Sequence, residues 1–427
     1  MIRKEIFSLI EKYYSSKSPS FVRGKSKVGV GMPVYDHREV NLVLSTLLDG
    51  WITMGKHTDL FERKMAGMFS QKYGVSTNSG SSANLLVMKS LSKIFKQGSL
   101  VATSALNYPT TITPIYDAGF KPLFVDCDKF SLNISVNALE SAFKKFDVKI
   151  LFLPHMFGNP CDMNKIMGLC DEHGVFLVED AAESHGARYD GRLVGSFGDV
   201  STFSFFISHI LTTGEGGMVL TRDNRIAELS RSLRAFGRLC SCEVCPPNIN
   251  PEALCTKRFS NPGIEGYDRR YVYDNSGFSL KLTEMQGAFG VVQLDKLDEF
   301  VKIRRSNAHF FSNSFKKFAH LINLPFETRN GLHSYYSYTL SLKEDVGFSR
   351  GDFTSFLEKN KIETRPLMGG NITKQPFMKN KDFNVFGKLS NSDFLMSNGF
   401  FIGCHPGLSS EALVYVRDLF NEFLEKY

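Results

Sequence analysis

One histidine stands in a segment whose neighbours could do chemistry: Gly198-Asp-Val-Ser-Thr-Phe-Ser-Phe-Phe-Ile-Ser-His209, followed by Thr213-Gly-Glu-Gly-Gly217. An imidazole with an ordinary pKa of about 6.5 suits proton transfer near neutrality. Three further pieces precede it. Asn78-Ser-Gly-Ser-Ser-Ala-Asn84 runs into the helical stretch Leu85-Leu-Val-Met. There Gly80 permits a tight turn, and Ser81 with the helix-opening amides can hold a phosphate. Tyr108, in Asn107-Tyr-Pro-Thr-Thr, offers a ring that can stack on a flat heteroaromatic. Val178-Glu-Asp-Ala-Ala-Glu-Ser-His-Gly-Ala187 places Asp180 at the C-terminal end of a hydrophobic strand. Open α/β sheets bind ligands at that point. A buried carboxylate there needs a cationic or donor partner, and a protonated ring nitrogen would serve. Ser204 and Ser208 can add phosphate contacts. Each piece alone has a plain reading: a helix cap, a packed tyrosine, a satisfied core histidine.

The elements that must position these residues follow from hydrophobic patterning. Val40, Leu44, Leu47 and Leu48 keep helical spacing. Ser99-Leu-Val-Ala-Thr, Lys121-Pro-Leu-Phe-Val-Asp, Lys149-Ile-Leu-Phe-Leu and Gly174-Val-Phe-Leu-Val-Glu-Asp read as strands, with amphipathic stretches between them. Strands alternating with helices predict an α/β fold, a mostly parallel sheet with helices on both faces. A long helix is expected with Leu294, Leu297, Val301, Ala308, Phe311 and Phe315 on one face. The resulting division is an N-terminal arm at 1–36, a large domain at 37–304, and a small C-terminal α/β domain at 305–427. Residues 238–275 break the rhythm with four prolines and four cysteines, and read as a functional loop or insertion. At 427 residues and 42% hydrophobic content, the chain has ample material for a large core beside a smaller one.

In this order the four pieces resemble, over nearly the whole chain, the DegT/DnrJ-type sugar aminotransferases of fold type I. That family's second motif reads Glu-Asp-Ala-Ala-Gln-x-His-Gly, and its later one Ser-Phe-x-x-x-Lys, whose lysine binds pyridoxal phosphate (PLP). Here Glu183 stands for the Gln and His209 for the Lys, and no lysine lies between Gly195 and Arg222. The chain is most similar to the 3-dehydratase branch, above all to the iron–sulfur CDP-4-keto-6-deoxyglucose 3-dehydrase type. Asp49-Gly-Trp-Ile-Thr-Met-Gly, Gly237-Arg, Gly370-Asn-Ile-Thr-Lys-Gln-Pro and Pro406-Gly-Leu carry that likeness. The resemblance implies a fold type I (aspartate aminotransferase-like) architecture. It also implies cofactor contacts from Gly80, Ser81, Tyr108, Asp180, Glu183 and Ser204. An imidazole forms no stable Schiff base. The expected cofactor is therefore pyridoxamine phosphate (PMP), held without a covalent link. The expected reaction is loss of the C3 hydroxyl from a nucleotide-linked 4-keto-6-deoxyhexose in dideoxysugar (O-antigen lipopolysaccharide) biosynthesis, with His209 as acid and base.

The same resemblance extends to Cys240, Cys242 and Cys255, which match three ligands of a 2Fe–2S site, the last in Cys255-Thr-Lys-Arg-Phe259. The family's fourth ligand comes from a Glu-Asp-Cys-Cys segment that is Glu179-Asp180-Ala181-Ala182 here, so Cys245 is the substitute. Structural zinc is the alternative, because four thiolates bind it too. A cluster implies a separate NAD(P)H-dependent iron–sulfur flavin reductase, since the chain has no dinucleotide glycine fingerprint. Arg365 and Asn371 match a segment bordering the sugar nucleotide. Fold type I enzymes are usually homodimers. Ser279 replaces an asparagine of the family that reaches the partner's phosphate.

Other classes fit poorly. The excess of 51 basic over 44 acidic residues is spread out, with no basic block and interleaved aromatics, so nucleic acid is not expected. No stretch is long and apolar enough for a membrane span, and a cytoplasmic protein is the expectation. Two rival functions remain. An ordinary PLP-dependent sugar aminotransferase conflicts with the missing lysine. An inactive PLP-fold binding protein conflicts with the retained Asp180, Ser204 and phosphate turn.

Overall fold

The computed structural model describes residues 1–17, 21–250, 252–260 and 263–427. Its main sheet has eight strands, ordered Tyr73–Thr77, Gly217–Thr221, Val200–Ser204, Phe176–Asp180, Val148–Pro154, Leu100–Ser104, Lys121–Val125 and Asn384–Val385. Gly217–Thr221 runs antiparallel to both its neighbours, and the remaining pairings are parallel. Both faces are covered. Along Val148–Pro154, Ile150 and Phe152 pack with Leu86, Val87 and Leu91 of the helix Gly80–Leu91 on one side. Leu151 and Leu153 pack with Leu139, Phe143 and Ile166 on the other. That alternation is the period of two that puts successive side chains on opposite faces.

A second, four-stranded antiparallel sheet joins Ile322–Asn323, Tyr338–Leu342, Gly399–Ile402 and Arg365–Pro366. The helices Leu297–Phe315 and Ser410–Leu424 pack against it through Phe311, Phe315 and Phe420. One strand of the C-terminal third does not stay with this sheet. Asn384–Val385 returns to pair in parallel with Leu123 and Phe124 at the edge of the main sheet. At the other end, Val28 forms a bridge to Ile362.

The long helix expected across 294–315 is two helices, Glu284–Asp295 and Leu297–Phe315. Lys296 divides them with φ −99° and ψ −3°. Its side chain is buried, with Nζ 3.0 Å from Asp36 and at 2.5 Å from Glu39. The apolar stripe still faces inward, but it serves two cores. Leu294, Leu297 and Val301 pack beneath the main sheet, while Ala308, Phe311 and Phe315 pack beside the small one.

Candidate active site

The parallel strands deliver their C-terminal ends to one cavity of about 240 Å³. Its lining brings together Gly80, Ser81, Tyr108, Asp180, Glu183, Ser204 and His209. Ser79 caps the helix Gly80–Leu91, accepting the Ser82 amide at 3.1 Å. Glycine at position 80 is required by close approach: a Cβ there would lie 2.4 Å from Ser204 Cβ. The helix N-terminus and Ser204 therefore meet with no side chain between them, leaving amides turned to the cavity. Tyr108 is about half exposed at the start of the helix Pro109–Asp117, where its ring has room for a partner.

Asp180 is buried at the end of its strand. Oδ2 accepts from Thr111 Oγ1 at 2.8 Å and Asn84 Nδ2 at 3.1 Å, and Oδ1 from the Ala182 amide at 3.2 Å. These donors are neutral, and burial raises the carboxyl above its usual range. A cationic nitrogen in the cavity would match it. Glu183 Oε2 accepts the Phe157 amide at 2.8 Å. Burial, with Asp180 adding repulsion, pushes its carboxyl up to about 8.

His209 follows the strand Val200–Ser204 in an irregular turn. Its Nδ1 lies 2.9 Å from the Ser204 carbonyl, which fixes that nitrogen as the N–H and leaves Nε2 with the lone pair. Burial brings the imidazole down to about 4, so it is neutral near pH 7. Tyr336 stands edge-on to it, with ring centroids 5.3 Å apart, and its hydroxyl is 3.2 Å from Ser208 Oγ. No lysine is among the described residues lining the cavity.

The sequence pattern did not single out Tyr336, Phe157 or Met368. Phe157 is a non-glycine residue in left-handed backbone, φ 56° and ψ 19°. Such a conformation costs about 1–3 kcal/mol and persists where its surroundings impose it. Here its amide donates to Glu183 and its carbonyl accepts the Tyr336 amide at 2.9 Å, so one residue ties both walls of the cavity. Asn84 and Thr111 lie inside the Asn78–Asn84 and Asn107–Thr111 motifs, but only the fold brings their side chains to Asp180.

Other expected site residues lie apart from this cavity. Arg365 is exposed and pairs with Glu363, which also takes Lys27 at 2.9 Å. Asn371 is buried and structural in its contacts, donating to Asp393 at 2.7 Å and accepting from Thr373. Ser279 is exposed and bridges through its backbone to Ala235. The four cysteines of the irregular segment are partly exposed and unbridged. Cys240 and Cys242 have their sulfurs 3.8 Å apart. Burial raises the Cys245 thiol, and Cys240 and Cys255 lie near enough to add to that. Among the described residues no three His, Cys, Asp or Glu groups stand in a metal-holding arrangement. No helix of the described residues is long and apolar enough to cross a membrane.

Comparison with known proteins places this geometry. A family model described as the DegT/DnrJ/EryC1/StrS aminotransferase family matches residues 33–421. The chain is 35% identical to the lipopolysaccharide biosynthesis protein RfbH of Salmonella typhimurium, over 99% of this chain and 98% of that one. It is 31% identical to the GDP-4-keto-6-deoxy-D-mannose 3-dehydratase of Yersinia pseudotuberculosis, over 92% of this chain and 98% of that one. Among solved structures, it resembles the Escherichia coli GDP-4-keto-6-deoxy-D-mannose-3-dehydratase with bound hydrated PLP, with a TM-score of 0.82 at 29% identity. The likeness covers 92% of this chain and 98% of that one.

Proposed function

Because the chain belongs to the DegT/DnrJ/EryC1/StrS aminotransferase family, with its fold type I architecture, we propose that it is a PMP-dependent dehydratase removing the C3 hydroxyl of a nucleotide-linked 4-keto-6-deoxyhexose. One observation carries the reading. The cavity holds a neutral imidazole, with its free Nε2, and no lysine among its described lining residues. A transaminase needs an amine there to hold the aldehyde cofactor and to release it.

The residues present fit a pyridoxamine phosphate. Asp180, supported only by neutral donors, would face the ring nitrogen. Tyr108 would stack on the ring. The amides of Gly80 and Ser81 with Ser204 would take the phosphate, and Glu183 would meet a polar ring substituent. When bound, the cofactor supplies an amine for the sugar's 4-keto group and a ring that accepts electrons. His209 would be the group that moves protons there, its free Nε2 serving as base and then as acid for the departing C3 hydroxyl. Arg365 would hold the diphosphate, once a ligand competes with Glu363, and Asn371 would brace the adjoining turn. Ser279 would reach the second subunit of a homodimer.

Cys240, Cys242, Cys245 and Cys255 would hold a 2Fe–2S cluster. Their soft thiolates suit iron–sulfur chemistry, and the close Cys240–Cys242 pair supports a shared site. Such a cluster supplies single electrons, which an NAD(P)H-dependent reductase partner would deliver. The test is to incubate the PMP-loaded enzyme with CDP-, GDP- and dTDP-linked 4-keto-6-deoxy sugars. Release of the C3 hydroxyl on one of them is expected. Transfer of an amino group with no C3 loss would overturn the reading in favour of an aminotransferase. Iron and sulfide analysis of anaerobically prepared protein tests the cluster, and stoichiometric zinc alone would refute it.

A further inference from the structure

Arg304, on the helix Leu297–Phe315, is among the largest fully buried side chains of the protein. A buried guanidinium is ordinarily matched by a carboxylate. Here the oxygen acceptors it meets among the described residues are two backbone carbonyls, of Tyr335 at 3.2 Å and Tyr336 at 2.8 Å. Nε has no partner, and the thiol of Cys404 lies beside it. Its charge reaches His185, His209 and His405, three buried or partly buried imidazoles. Nothing in packing alone requires a cation at such a point, and a methionine would fill similar volume at less cost.

Tyr336 is held from both sides. Arg304 fixes its carbonyl and Phe157 fixes its amide. Its ring lies edge-on to His209 at 89°, and its hydroxyl meets Ser208, the residue just before that histidine. We propose that Arg304 and Tyr336 are positioning residues for His209: the guanidinium anchors the Tyr335–Tyr336 backbone and sets a positive charge behind the imidazole, and Tyr336 fixes the ring so that Nε2 faces the cavity. The groups facing the imidazole are Tyr336, Arg304, His185 and the Ser204 carbonyl, with Asp180 and Glu183 across the cavity. His185 sits between Phe203 and Phe205 with neither ring nitrogen hydrogen-bonded, and burial keeps it neutral. Arg304 is the guanidinium whose charge bears on both His185 and His209. The inference deepens the dehydratase reading, and rests on it for turnover alone.

The test follows the His209 ring by NMR in full-length, cofactor-loaded enzyme labelled in its histidine rings, without substrate. The resonance is assigned by its loss in His209→Asn. In Arg304→Met the pH midpoint of His209 is expected to rise, and in Arg304→Lys, which keeps the charge, to rise less. Tyr336→Phe removes one oxygen and is expected to fold. It should leave the midpoint in place but lower the fraction of His209 protonated at Nδ1. Turnover should then fall about tenfold in kcat with KM within twofold. An unmoved midpoint in Arg304→Met, or an unmoved tautomer ratio in Tyr336→Phe, overturns the proposal. Absence of sugar turnover in the wild type would instead count against the dehydratase reading and leave the ring measurements standing.

Discussion

At the scale of single residues, the site is a set of acids and bases moved from their ordinary ranges by burial. His209→Lys should lower C3 dehydration at least about a hundredfold, the share that a placed acid–base group contributes. It should also gain a borohydride-reducible link to PLP, seen as a mass shift on the protein. Full dehydration in that variant would remove His209 from the chemistry. The same shifts govern stability. His209 falls to about 4 and His405 to about 4, both from 6.5, so the folded chain binds protons less well than the unfolded one. Their stabilising share is complete above about pH 6.5 and is lost as pH falls towards about 4. Glu183 works in reverse. Raised from 4.5 to about 8, it favours the folded state below the lower value and costs stability as pH rises through the higher. Glu183→Gln should therefore narrow the drop in Tm between about pH 6 and about pH 9, by a few degrees in a thermal melt. An unchanged drop would mean that Glu183 ionises freely.

At the scale of elements, the turn between strand and helix is the sensitive part. Gly80→Ala would press a methyl to 2.4 Å from Ser204 Cβ, with the helix cap behind it. Overpacking of this kind costs about 1–3 kcal/mol. Cofactor affinity should fall further than stability does, measured by PMP titration beside a melt. How the elements could be read from the sequence differs by strand. Lys121–Val125, Val148–Pro154 and Phe176–Asp180 were legible as apolar runs buried on both faces. Tyr73–Thr77 and Val200–Ser204 were not, because their buried positions are rich in Ser and Thr, which do not read as core in a sequence. Ser76 takes Glu62 and Arg234, and Ser201 reaches the Gly195 carbonyl. The site divides the same way. Gly80, Asp180, Glu183 and His209 sit in short motifs with local logic. Tyr336 and Arg304 reach it only through tertiary packing, from beyond residue 300, and nothing in their own neighbourhoods announces it.

At the scale of the whole molecule, the candidate site and the cysteine quartet occupy separate regions. The cavity lies at the ends of the parallel strands, and the cysteine quartet lies in the irregular segment after the helix Asn224–Arg234. If the quartet serves only electron delivery, Cys255→Ser should lose iron and sulfide but still release the C3 hydroxyl. Product analysis with and without a reductase would show the dehydrated sugar unreduced. Loss of dehydration together with iron would instead tie the segment to the cavity.

The return of Asn384–Val385 to the main sheet bears on how the chain is made. Until residue 385 has left the ribosome, the edge of Lys121–Val125 stands open, more than 250 residues after its own synthesis. An uncovered strand edge is a template for pairing with other chains. The nascent protein therefore spends much of its synthesis with its largest sheet unfinished. Fragments ending before this strand should accumulate in inclusion bodies while the intact chain stays dispersed, and chaperone demand should peak late in translation.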